Sequence, residues 1–125
     1  MGFDAVGIVA KDIQRSIDFY ALLDVELKET GGKDHFEGIT SSGVRIMLDS
    51  VDLVKKINPS WVEPIGSGIV LCFLKKSSNE VDECFSRIVD AGFKSIKSPW
   101  DAFWGQRYSS VLDPDGNQID IFSPL

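Results

Sequence analysis

The segment Gly43-Val-Arg-Ile-Met-Leu-Asp-Ser50 returns near the other end of the chain as Gly116-Asn-Gln-Ile-Asp-Ile-Phe-Ser123. The glycine, the central Ile and the closing Ser coincide, and Met47 corresponds to Asp120. Gly7-Ile8-Val9 likewise recurs as Gly68-Ile69-Val70. Such repetition constrains a short chain strongly, because each copy must be a supersecondary unit with an apolar face to bury.

The order of elements carries the repeat further. Residues 3–10, with Phe3, Val6, Ile8 and Val9, read as a strand. Asp12 then reads as an N-cap, and Ile13, Ile17, Tyr20 and Ala21 recur at helical spacing to about Leu23. Three further strands follow at Val25–Glu29, His35–Thr40 and Val44–Asp49, parted by glycine turns. The second half begins with a strand at Ile69–Leu74. Ser77 and Glu80 have capping-box spacing, Val81, Cys84, Phe85, Ile88 and Val89 form an apolar helical stripe, and Gly92 supplies the stop. Strands at Phe93–Lys97, Trp104–Leu112 and Gln118–Phe122 complete the series. The last two are joined by Asp113-Pro114-Asp115-Gly116, where Pro presets φ and Gly takes a positive one.

The prediction is an α+β chain of two βαβββ modules, residues 3–50 and 67–125, within one domain spanning 1–125. The linker, 51–66, holds a short helix followed by a Pro/Gly-bounded stretch with Trp61. One amphipathic helix per module covers only one side of its sheet. That side takes Val44, Ile46, Leu48, Ile119 and Ile121. The opposite side, with Arg45, Met47, Asp49, Gln118, Asp120 and Phe122, is mixed. Side by side, the modules would form a cup-shaped mixed sheet with the helices outside, a usual place for a ligand.

Composition narrows the function. Lys and Arg number 13 against 19 Asp and Glu, a net charge of −6, which leaves no basic stripe for nucleic acid and little attraction to anionic membranes. One His and two Cys cannot make a His-rich zinc site or a Cys₄ cluster. Cys72 and Cys84 read as reduced core thiols. Met1–Ala10 lacks the basic start and apolar run of a signal peptide, and no stretch has the length of a membrane span, so a cytoplasmic location is expected.

Three segments give the chain a resemblance to the vicinal oxygen chelate superfamily of glyoxalases, bleomycin resistance proteins and extradiol dioxygenases. Lys11-Asp-Ile-Gln-Arg-Ser-Ile-Asp-Phe-Tyr20 resembles the first strand-to-helix junction of that family. Phe103-Trp-Gly-Gln-Arg-Tyr108 and Asp113-Pro-Asp-Gly-Asn117 resemble its final hairpin. The resemblance implies two βαβββ modules around a cup, commonly within a homodimer. In the enzymes it implies one divalent metal on His, Gln or Glu at four positions, chelating adjacent substrate oxygens. Mapped here, those positions read Ala5, Met47, either Gly68 or Val70, and Asp120. One Asp cannot hold such an ion tightly alone, so no metal or other cofactor is expected. His35 reads as an exposed edge residue, with rescue as a ligand the alternative.

Aromatic residues supply another way to bind. Trp61 lies in the linker, Trp100, Trp104 and Tyr108 cluster before and on the seventh strand, and Phe122 shares a face with Asp120. Such rings hold planar molecules and cations, or else fill a core or an interface. Asp49 and Asp120 would favour a cationic ligand, and Arg45 reads as a possible partner of one of them. The pattern resembles the metal-free, drug-sequestering branch of the superfamily. The expected ligand-binding set is Met47, Asp49, Trp61, Trp100, Trp104, Tyr108, Asp120 and Phe122. Two other readings stand beside it. One is a glyoxalase-like lyase, isomerase or dioxygenase with a divergent site using Asp120. The other is a dimerisation or interaction module with a filled cup.

Overall fold

A computed structural model describes residues 1–66 and 68–125. Position 67, where the second module was expected to begin, lies outside the described residues. The chain separates into two compact units, Met1–Pro64 and Ile65–Leu125.

The first unit contains β1 (Ala5–Ala10), α1 (Ile13–Ala21), β2 (Lys28–Glu29), β3 (His35–Ile39), β4 (Arg45–Ser50) and α2 (Val51–Ile57). Its mixed sheet runs β1-β4-β3-β2, with β1 parallel to β4 and the other pairs antiparallel. Asp12 caps α1 by accepting from the Arg15 amide at 3.1 Å. Ser50 caps α2 by accepting from the Leu53 amide at 3.0 Å. Ile8, Ala10, Ile46 and Leu48 are buried on one side of the sheet together with Phe19 and Tyr20 of α1. Fully burying an aliphatic side chain contributes about 1.5–3 kcal/mol. Gly38 faces this side opposite Ile46; a Cβ there would collide with the Glu26 carbonyl oxygen.

The second unit contains β5 (Val70–Leu74), α3 (Ser78–Asp90), β6 (Ser95–Ala102), β7 (Gln106–Leu112) and β8 (Gln118–Pro124). Its sheet runs β5-β8-β7-β6, the same order as the first, with β5 parallel to β8. Ser77 accepts from the Glu80 amide at 3.2 Å, and the Glu80 carboxylate accepts from the Lys76 amide at 3.0 Å, so a reciprocal cap opens α3. Gly92, at φ 94°, closes it. Val81, Cys84, Phe85 and Ile88 are buried against β7 and β8, whose Val111, Ile119 and Ile121 point the same way. Asp113 accepts from the Asp115 and Asn117 amides at 2.9 and 2.8 Å and holds the last hairpin turn.

The expected α+β class and element order are present. The boundaries differ in ways with physical causes. β2 shrinks to two residues because Val25 and Leu27 are buried in irregular backbone ahead of it. β6 runs on to Ala102 through Pro99, which an edge strand with register shifts tolerates. Trp100 therefore lies on a strand and not in a loop. Trp104 lies in the β6–β7 turn and not on β7, because Gly105 takes φ 94° and its amide donates to the Ala102 carbonyl. No helix among the described residues is long and apolar enough to cross a membrane.

Candidate ligand site on the second sheet

Registers define the side of the second sheet turned away from α3. Tyr108 of β7 stands opposite Trp100 of β6 and Phe122 of β8, and Phe122 stands opposite Leu74 of β5. Three aromatic residues thus lie in one row across adjacent strands. Next to it runs a polar row, Lys97, Ser110, Asp120 and Cys72. The Tyr108 and Phe122 ring centroids are 5.8 Å apart with the planes tilted 30°. Trp104 packs edge-on against Trp100, Phe103 and Tyr108 at 5.5, 4.9 and 5.3 Å. These are favourable aromatic geometries. Lys97 Nζ lies 4.9 Å from the Trp100 ring centroid, a cation–π contact.

Asp120 is only 7% exposed, so its carboxylate needs internal donors. Three supply them. Tyr108 donates its hydroxyl hydrogen at 2.6 Å, Ser110 Oγ at 2.7 Å and Gln118 Nε2 at 3.0 Å. Burial, then the hydrogen bond to Asp120, pushes the Tyr108 phenol well above its ordinary value. Cys72 also lies beside Tyr108, and partial desolvation of its thiol raises the thiol pKa. Cys72 is exposed on edge strand β5 and is not the core thiol expected of it; Cys84 is buried.

The remaining expected residues belong to the first unit. Met47 and Asp49 lie on β4, on the side away from α1, and Trp61 lies after α2. His35, at the start of β3 just beyond the register of β2, is half-buried and not exposed: it stands opposite Asp49 of β4, and its carbonyl accepts from the Thr30 amide at 3.2 Å. Its Nδ1 bonds Asp49, and its Nε2 bonds Glu37 at 2.7 Å. The Asp49 bond first, then the Glu37 bond, raises its pKa. Arg45 pairs with Asp4 and with Glu37, the latter at 2.6 Å, and with neither Asp49 nor Asp120.

The metal implied by the resemblance does not fit these residues. Ala5 carries no donor, Met47 lies opposite Gly7, and Val70 lies opposite Gln118. Both oxygens of Asp120 are engaged. His35 has its two nitrogens, on opposite sides of the ring, turned to different carboxylates. Among the described residues no group of three or more His, Cys, Asp or Glu is placed to hold an ion.

Two four-stranded sheets of identical order, each backed by a helix, define an α+β protein built by repetition of βαβββ. The model of the Glyoxalase/Bleomycin resistance protein/Dioxygenase superfamily matches residues 2–121, and the chain belongs to that superfamily. An uncharacterised protein of Mycobacterium bovis is 28% identical over 123 residues, covering 94% of this chain and 80% of its own. A crystal structure of a glyoxalase/bleomycin resistance protein/dioxygenase family enzyme from Burkholderia phytofirmans PsJN is similar at TM-score 0.86, with 21% identity over 98% of each chain. A protein of unknown function from Agrobacterium tumefaciens is similar at TM-score 0.73 and 27% identity, covering all of this chain and 95% of that one.

Sequence reasoning passed over Lys97, Ser110 and Gln118 as site residues. Ser110 and Gln118 share strand parity with Tyr108 and Asp120, a legible signal. Lys97 was hidden by the bulges on either side of it, which defeat parity counting.

Proposed function

We propose that this protein binds a small planar organic molecule without a metal, on the ring-bearing side of its second sheet. The observation that carries this is the cross-strand row of Trp100, Tyr108 and Phe122, with Trp104 at the turn edge-on to two of its members, Trp100 and Tyr108. Rings in adjoining strands offer flat apolar area at little conformational cost. The misfit of the metal positions supports binding over the family's metal-assisted chemistry. The engaged oxygens of Asp120 argue against its use as a base.

Intrinsic tryptophan fluorescence, titrated with a panel of bicyclic and tricyclic aromatic compounds, tests the reading. Saturable quenching by at least one compound is expected, weakened in Phe122→Ala and Trp104→Ala. No response across the panel, confirmed by calorimetry, would overturn it.

A second reading has its own support. Phe103 is 91% exposed at the tip of the β6–β7 turn, beside the half-exposed Trp104. We infer that this tip contributes to association of two copies. Sedimentation should show a dimer that weakens in Phe103→Ser; an unchanged monomer in both forms would remove the idea.

A further inference from the structure

The sequence favours a cationic ligand because Asp49 and Asp120 share the unburied sides of the sheets. The structure uses both carboxylates internally. Asp49 is bonded by His35, and Asp120 is buried beneath three donors. Among the described residues of the aromatic and polar rows on the ring-bearing side of the second sheet, the other ionic side chain is Lys97; Asp101 and Arg107 face the opposite side. It is exposed, no carboxylate among the described residues pairs with it, and its ammonium is held over Trp100. An ammonium at the rim of a ring surface is placed to meet a negative group on a molecule lying against those rings.

We propose that the ligand is a planar aromatic anion, a carboxylate or a similar oxyanion on an aromatic body, and that Lys97 receives its charge. This rests on the binding function proposed above and adds the chemical class. Such a pairing discriminates by charge: an anion gains Lys97 and meets no free carboxylate in these rows, whereas a cation meets Lys97 first.

Calorimetric titration with three matched probes tests it: 1-naphthoate, the neutral 1-naphthamide and the cationic 1-naphthylmethylammonium. The anion is expected to bind about fivefold more tightly than the neutral probe, the size of one exposed ion pair. High salt should erase that advantage without affecting the amide. Lys97→Met should abolish it and Lys97→Arg should retain it, with circular dichroism confirming that both variants fold. If the cation binds best, or if Lys97→Met leaves the ratio of anion to amide unchanged, the charge assignment is wrong while the ring site stands. If none of the three binds to the native protein or to Lys97→Arg, the ring site fails with it.

Discussion

Tyr108 on β7 and Asp120 on β8 are diagonal neighbours, and the phenol hydroxyl donates to Asp120 Oδ2 at 2.6 Å. The carboxylate is nearly excluded from water, so each of its donors matters. Tyr108→Phe keeps the ring and removes one of three. Leaving a buried carboxylate underbonded costs about 1–3 kcal/mol. Urea denaturation should show that loss; an unchanged midpoint would mean that water replaces the hydroxyl.

His35 gives the first unit a pH dependence of definite sign. Its pKa is raised above 6.5 by Asp49 and Glu37. A group raised in the folded state stabilises fully below its unfolded value, and that contribution is lost as pH rises through the folded value. Thermal stability should therefore fall as pH climbs above 6.5, and His35→Gln should flatten that slope. Identical slopes in both proteins would assign the titration elsewhere.

Gly38 tolerates no side chain. A Cβ would press on the Glu26 backbone carbonyl, and Leu27 Cδ2 lies 3.1 Å away. Backbone contacts do not swing aside, so Gly38→Ala should destabilise by about 1–3 kcal/mol, as overpacking does. Gly68→Ala, with nothing within 4 Å, is the control. Equal melting temperatures for the two variants would refute the close approach.

Metal removal should do nothing. Exhaustive chelation is expected to leave the melting temperature unchanged, and Zn²⁺ or Ni²⁺ should give no stoichiometric heat. Tight binding lost in Asp120→Asn would restore a metal centre and displace the proposed function.

Periodicity and turn chemistry made much of this fold legible. The caps at Asp12 and Ser77, the helix stop at Gly92 and the Asp113–Gly116 turn are local devices, and local devices survive in sequence. Faces on β4 and β8 were legible for the same reason, since alternation is local. Long-range choices were not. Arg45 had two aspartates as candidate partners and took Asp4 and Glu37 instead. His35 reads as peripheral in the sequence because its partners, Asp49 on β4 and Glu37, are set by strand pairing and not by local pattern. Lys97 and Trp100 share a side of β6 only because the register shifts between them, and no pattern of period two reports a shift. The family ligand positions were legible as vacancies of type, Ala5 and Met47 above all, while the three donors around Asp120 required the β7–β8 register.

Behind the rings, Arg107 binds Asp82 of α3 through Nε and Nη2 at 2.9 and 3.1 Å, and reaches Asp101 of β6 through Nη1 at 3.1 Å. Asp101 adjoins Trp100 in sequence, and Arg107 adjoins Tyr108. One guanidinium thus rivets the β6–β7 hairpin to the helix from the side opposite the rings. A guest arriving at Trp100 and Tyr108 would find them already stiffened, with little motion left to surrender on capture. Cutting the rivet in Arg107→Ala would loosen the hairpin, and calorimetry should then show weaker binding of an aromatic probe although the rings themselves are unchanged.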